Sequence, residues 1–336
     1  TFQYALVSKN KDDLKNLFNY TVNRHYPHLK KTKSQAIELL RIVCVVLLVF
    51  THTRHNFEDG IMHFILYDLP KYGTLVLSII SGYLYYSISR KNKNLFEKKI
   101  KSLAVPFLFA NLSVVIIVSV IFVFFDLNYL NRLSFDSGLI LEGILSLNSP
   151  PINPPTYFIR DIFIIFVLVE ILINKKFKLI FLLLPFALFG ELILRYEILV
   201  LFVVGIVVSK YLNNKNQKYI QLTLLILVFL SYLFYEPIMK HLISIFIFVS
   251  IINMNVKFFN VGGYTYLLHL YHSPVIVFIY PLLSNYISNI YLLVLLQIIL
   301  SIIMVYLLFL ITRRFTGVFK TDDSLARHFL EQTKIG

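Results

Sequence analysis

Leu103–Phe125 reads LAVPFLFANLSVVIIVSVIFVFF, an apolar run with no charged residue, interrupted only by Asn111, Ser113 and Ser119. The hydrocarbon core of a bilayer, about 30 Å thick, is crossed by about 20 such residues in a helix. This stretch therefore decides the fold class: all-α, a polytopic transmembrane helix bundle. Working outward from it, nine further segments read the same way, near 36–53, 72–89, 156–173, 177–194, 196–212, 219–236, 238–256, 264–283 and 290–312. The expectation is about ten spans. Composition agrees. Of the 336 residues, 57% are apolar and 15% are charged, against roughly 25% charged in a soluble domain, and mean hydropathy is +0.73. A soluble globular enzyme, a disordered chain and a small secreted scaffold are excluded. The expected organisation is a polar cytoplasmic segment 1–35, a membrane domain 36–312 and a short cytoplasmic tail 313–336.

The formal charge of +14 is carried by the connections between these segments. Lys and Arg fall 25 to five between alternate loops, and every second loop is basic. Cytoplasmic loops collect such residues, so both termini are expected in the cytoplasm. The bilayer accounts for this charge, and nucleic acid is not an expected partner. The single cysteine, Cys44, cannot form an intramolecular disulfide. With 22 Tyr and no Trp, an interfacial aromatic belt has to be built from tyrosine. The long loop 126–155 is expected outside. Its Asn148-Ser149-Pro150-Pro151-Ile152-Asn153-Pro154-Pro155 is expected to be non-helical, because proline lacks the donor and restricts the residue before it. Long outer loops of this kind often cover a site.

An ionisable residue inside a span is costly and normally faces the bundle interior. The first span holds Glu38, Arg41 and His52. Arg41 and His52 are 11 positions apart, within about 20° of each other around the helix and ~16 Å apart along it. Cys44, Val45 and Leu48 lie on or near the same face. Taken singly, Arg41 reads as a snorkelling anchor and His52 as an interfacial histidine. Two on one face point to function. Gly82 in the second span permits close approach of another backbone. Arg90, Lys91, Lys93, Lys98, Lys99 and Lys101 follow it, either as topology signals or as a site for phosphates. The fourth span opens with Tyr157-Phe158-Ile159-Arg160-Asp161, where adjacent residues point about 100° apart, so Arg160 and Asp161 are expected to pair with different partners. The ninth span holds His269 and His272, the latter two residues before Pro274. His52, His55 and His63 have no recognisable ligand spacing, and no metal centre is expected.

Taken in order, these residues resemble the acyltransferase-3 family of integral membrane acyltransferases. The Arg41–His52 spacing is similar to the family's first-span signature. Ile80-Ser81-Gly82-Tyr83-Leu84, the basic run Lys98–Lys101 leading to Pro106, Tyr157-Phe158-Ile159 (with Tyr157 where the family usually has Trp) and His272-Ser273-Pro274 resemble its later motifs. The resemblance covers about residues 36–312. It implies transfer of an acyl group, most often acetyl, from cytoplasmic acyl-CoA to a hydroxyl of an extracytoplasmic glycan or glycolipid. Acetyl-CoA is then a donor substrate, with no permanently bound cofactor. A bacterial inner membrane location is implied.

On this reading His52 is the general base or a transient acyl carrier, with Arg41 and His272 completing the catalytic set. Arg41, Arg90, Lys98, Lys99 and Lys101 are expected at the CoA phosphates, and Tyr157, Arg160 and Asp161 at the acceptor. The rival from another class is a glycan or lipid transporter, which predicts internal repeats with broken helices in matching positions. No convincing repeat is visible. A non-catalytic scaffold leaves the Arg41–His52 alignment without a reason.

Overall fold

The structure is a computed structural model that describes residues 31–91, 94–130, 133–173, 180, 182–183, 185–186, 192–258 and 261–315. The described residues form helices joined by loops, with no strand among them. We label the main helices α1 (Lys31–Thr51), α2 (Leu69–Ser87), α3 (Val105–Phe125), α4 (Tyr157–Leu168), α5 (Tyr196–Tyr211), α6 (Gln217–Phe234), α7 (Met239–Ile251), α8 (Gly262–Ser284) and α9 (Ile290–Phe315). The expected fifth segment, 177–194, lies largely outside the described residues, as do 1–30 and 316–336. Among the described residues, four helices are long and apolar enough to cross a membrane: Leu95–Phe125, Gln217–Phe234, Gly262–Ser284 and Ile290–Thr312.

Several helices start earlier than the hydropathy pattern suggests. α2 is preceded by Gly60–His63 and a π-helical turn, Phe64–Asp68, and α3 by Leu95–Lys99 and a second π turn, Ile100–Ala104. Pro70 and Pro106 follow directly on these π turns; neither can donate to the carbonyl four residues earlier, and just before them Leu69 and Val105 bond five residues back, to Phe64 O and Ile100 O. The proline-rich loop is not wholly irregular. Pro154–Thr156 forms one 3-10 turn, because proline at the first helical position is already set to the required φ.

α2 is the central element, packed against α1, α5 and α7, while α8 joins α1 to α9 and α6 lies outside α7. α6 buries only Leu224 and Ser231, and its exposed face of Leu222, Leu225, Ile226, Phe229, Leu230 and Leu233 is the face a bilayer would cover. The tightest crossing is α2 on α5. A Cβ added to Gly82 would fall on the backbone carbonyl of Phe202, and one added to Gly205 would fall on that of Ile79. Each glycine thus admits the opposing helix backbone. On α1, Cys44, Val45 and Leu48 are buried, so the face that carries Arg41 and His52 is turned inward.

Candidate active site

His52 stands just past the last turn of α1, where helix carbonyls run out of intrahelical donors. Two threonines take them up: the Thr51 hydroxyl donates to Leu48 O at 2.8 Å and the Thr53 hydroxyl to Phe50 O at 2.7 Å. The next peptide is gripped from the other end of the chain. Arg54 N–H donates to Gln297 Oε1 at 2.7 Å, and Gln297 Nε2 donates back to Arg54 O at 3.1 Å. Gln297 is fully buried on α9. The histidine is thereby fixed from both sides.

Its neighbour is His272 of α8. The two rings meet edge to face, with centroids 5.1 Å apart and planes at 61°. His272 Nδ1 lies 2.6 Å from Leu268 O. A carbonyl can only accept, so Nδ1 carries the proton and Nε2 the lone pair of the neutral ring. His272 is fully buried, and this Nε2 has no hydrogen-bond partner among the described residues. His269, one turn earlier, points elsewhere: its Nε2–H donates to Pro155 O at 3.1 Å and its ring packs on Phe158. His269 anchors the proline loop, whereas His272 joins His52.

Pro274 connects that loop to the histidines. Lacking an N–H, it leaves the carbonyl four residues earlier, Leu270 O, without its helical donor. Asn153 Nδ2 supplies one at 2.7 Å. Asn153 is locked further: its N–H donates to Asn111 Oδ1 at 3.2 Å, and its carbonyl accepts from Thr156 N–H at 3.1 Å and the Thr156 hydroxyl at 2.8 Å. Asn111 Nδ2 donates to Phe107 O and Thr156 Oγ1. A cavity of about 360 Å³ opens over this network, walled by His52 and Arg54 after α1, Val114 of α3, Asn153 of the loop and Phe278 of α8. His55, three residues after His52, is held below its ordinary pKa, by burial and then by neighbouring His63.

The remaining expected residues are placed as follows. Arg41 pairs with Glu38 on its own helix at 3.3 Å. Arg90, Lys98, Lys99 and Lys101 lie on the segment between α2 and α3. Arg90 stacks on Tyr86 at 3.5 Å, Lys99 lies 3.9 Å over the Phe166 ring, and Lys101 meets Glu97 at 2.5 Å. Tyr157 lies under the Arg195 guanidinium, 4.7 Å away. Arg160 and Asp161 were expected to seek different partners, but they pair with each other at 2.8 Å. Both are buried. The long guanidinium at the start of α4 reaches sideways to its neighbour, which an angle between Cα–Cβ directions does not capture. Arg160 also donates to Ser146 O, Leu147 O and Leu192 O, and Asp161 accepts from the N–H groups of Leu194 and Arg195. The pair thus ties the 126–155 loop, at Ser146 and Leu147, to the segment just before α5.

Sequence reasoning passed over Asn111, Asn153 and Gln297. Asn111 and Gln297 are polar residues in otherwise apolar spans, a usable signal. Asn153 in a turn-rich loop carries none.

A family model described as an acyltransferase domain matches residues 34–313, most of the chain. Over 65 residues, 19% of this chain, the sequence is 37% identical to a protein nucleotidyltransferase of Pelagibacter ubique, and the match spans 14% of that protein's length. No solved structure matches the chain.

Proposed function

The chain belongs to the acyltransferase-3 family, and on that premise we propose that it is a membrane O-acyltransferase carrying an acetyl group from acetyl-CoA to a hydroxyl of an extracytoplasmic glycan or glycolipid. The observation that carries this reading is the His52–His272 contact, with His52 lining the cavity. A neutral imidazole that faces a cavity and is held by its backbone is suited to proton transfer near neutral pH. In the proposed reaction His52 takes the proton of the acceptor hydroxyl. The oxygen forms a bond to the thioester carbon, the carbon–sulfur bond breaks, and the thiolate of CoA leaves with the proton held by the imidazolium. His272, in edge contact, keeps the His52 ring in place.

The donor enters from the basic side. Arg41 and the segment with Arg90, Lys98, Lys99 and Lys101 meet the CoA phosphates, for which guanidinium groups suit bidentate contact. In the proposed arrangement the cavity opens on the outer side of a bacterial inner membrane and the donor is cytoplasmic, an orientation that the loop-charge pattern supports.

The test is the ester-linked acetate released by mild base from surface glycan, normalised to protein in the membrane. His52→Ala and His52→Gln should each lower it by about 10²–10⁴-fold, the usual cost of losing a general base. His272→Ala should cost more than His269→Ala. Arg41→Ala should weaken acetyl-CoA binding in a direct titration. Near-normal acetate in both His52 variants would refute the assignment of the base.

A further inference from the structure

We propose that Ser273 is a catalytic residue, the hydroxyl that donates a hydrogen bond to the oxyanion formed when the acceptor oxygen adds to the thioester carbon beside His52. The inference rests on the acyltransferase reading above and adds the group that meets the negative charge of the transfer step.

A serine or threonine inside a helix commonly spends its hydrogen on a carbonyl three or four residues earlier. On α8, Thr265 donates to Val261 O at 2.9 Å and Ser284 to Pro281 O at 3.2 Å. The same holds through the core. Ser78, Ser231, Ser244 and Ser301 are buried, and each donates to a carbonyl of its own helix. Ser273 is buried as well, 5% exposed, yet its hydroxyl has no partner among the described residues. Nor is its oxygen sealed in, as Asn153 Oδ1 and His272 Nε2 are. Ser273 lines the cavity, and its hydroxyl is left to act there.

Its place in the fold suits the charge that develops. Ser273 follows His272 directly, and successive helix residues point about 100° apart. One turn of α8 thus sets an imidazole against His52 and a hydroxyl in the wall of the cavity that His52 also lines. The other donors of the wall are less suited. Thr51 and Thr53 give their hydrogens to Leu48 O and Phe50 O. Tyr129 belongs to the outer loop, its ring 6.0 Å from that of Phe278, and Arg54 is exposed. In the transfer, the acceptor oxygen bonds to the thioester carbon as His52 takes its proton, and the carbonyl π pair moves onto oxygen. Ser273 donates a hydrogen bond to that oxygen and keeps its own proton. The pair then returns, the carbon–sulfur bond breaks and the thiolate of CoA leaves. A donor already in place in a buried site stabilises such charge without reorganising, and losing one typically costs about 10²–10³-fold in kcat.

The experiment uses the full-length protein in detergent, with acetyl-CoA as donor and base-deacetylated surface glycan from the host cells as acceptor, and follows release of CoA with glycan and without it. Ser273→Ala should lower kcat for transfer about 10²-fold or more and lower acceptor-free hydrolysis of acetyl-CoA in the same proportion. Both KM values should stay within about 2-fold of wild type, the pattern of a contact made only in the transition state. Because the hydroxyl has no partner among the described residues, resistance to SDS unfolding should not change. Ser273→Cys, nearly the same size with a weaker donor, should fall between, about 10-fold down in kcat. A wild-type kcat in Ser273→Ala overturns the proposal. A raised glycan KM with unchanged hydrolysis also overturns it, since Ser273 would then be an acceptor contact. So does acetyl recovered on Ser273 by mass spectrometry of wild-type protein incubated with acetyl-CoA alone, the mark of a nucleophile, and so does a loss of SDS resistance that parallels the loss of kcat. If Ser273→Ala fails to accumulate, the cysteine variant decides alone: a reduced kcat with unchanged KM values supports the proposal, and a wild-type kcat overturns it. A wild-type protein that acetylates no glycan would sink the acyltransferase reading itself, a separate failure.

Discussion

Replacing Arg160 with methionine separates two roles that the residue's position allows, holding the loop or binding the acceptor. Met matches the aliphatic length of Arg and removes the charge. Arg160 makes four contacts: 2.6 Å to Ser146 O, 2.8 Å to Leu147 O, 2.9 Å to Leu192 O and 2.8 Å to Asp161. Asp161 has no exposed surface, so the variant leaves a buried carboxylate with backbone N–H partners but no counter-charge. Breaking a buried pair in this way costs about 3–5 kcal/mol, roughly 10²- to 10³-fold or more in the folding equilibrium. Ser146 adds to the loss. It sits at φ +54°, a left-handed conformation that a non-glycine residue keeps only when its surroundings impose it, and Arg160 is one of the groups imposing it. The assay is unfolding of the detergent-solubilised protein by SDS, followed by helical circular dichroism because the chain has no Trp. Arg160→Met should unfold at distinctly lower SDS. The double variant Arg160→Met/Asp161→Asn should recover at least about 1 kcal/mol, since no buried charge is then orphaned. If Arg160→Met unfolds at the wild-type SDS fraction while the glycan KM rises 10-fold, the residue binds acceptor and the reasoning about the clamp is wrong.

Other outcomes follow from the packing and the loop. Gly82→Ala and Gly205→Ala each place a methyl against a helix backbone that cannot step aside, and each should cost about 3 kcal/mol, the upper end of overpacking, read as loss of membrane accumulation or of SDS resistance; a neutral Gly82→Ala would mean the two helices are further apart. Gln297→Leu removes both bonds to the Arg54 peptide, and acetate transfer should fall about 10-fold or more, as expected when a reacting group is displaced, with acetyl-CoA binding unchanged in titration. Glu142 accepts from the Ser149 hydroxyl and from the N–H groups of Asn148 and Ser149, which hold its carboxyl below the ordinary value of 4.5. Because the folded pKa is the lower one, its support of the loop is full above the ordinary carboxyl pKa and is lost as pH falls through the folded value. Protease cleavage between 133 and 153 should therefore rise below about pH 4 in wild type, and Glu142→Gln should flatten that dependence.

How far the sequence could be read depended on the range of each interaction. Leu103–Phe125 and the other apolar runs announce helices because hydropathy is local. His52 and His272 stand out as polar residues in apolar surroundings, and the Arg41–His52 face follows from helical geometry alone. Their contact does not follow, because it joins α1 to α8 across the fold. Asn153 was hidden for the same reason. Its meaning depends on a carbonyl freed by Pro274, 121 positions later. Gly82 was legible as a site of close approach, but only the structure shows that Gly205 is its counterpart. The Arg160–Asp161 pair escaped because a helical wheel treats side chains as short spokes, and arginine is long enough to bend round to its neighbour.

The clasp between Arg54 and Gln297 also has a bearing on how the protein is made. The two partners are separated by 243 residues, and Asn153 lies 117 residues before the carbonyl it caps. At a translation rate of about 5–20 residues per second, Gln297 leaves the ribosome roughly 10–50 s after Arg54. Throughout that interval His52 has been synthesised but its seat has not, and His272 joins it only near the end. A nascent or prematurely terminated chain thus holds the His52 imidazole without the partners that position it, and the clasp closes only once α9 has been made.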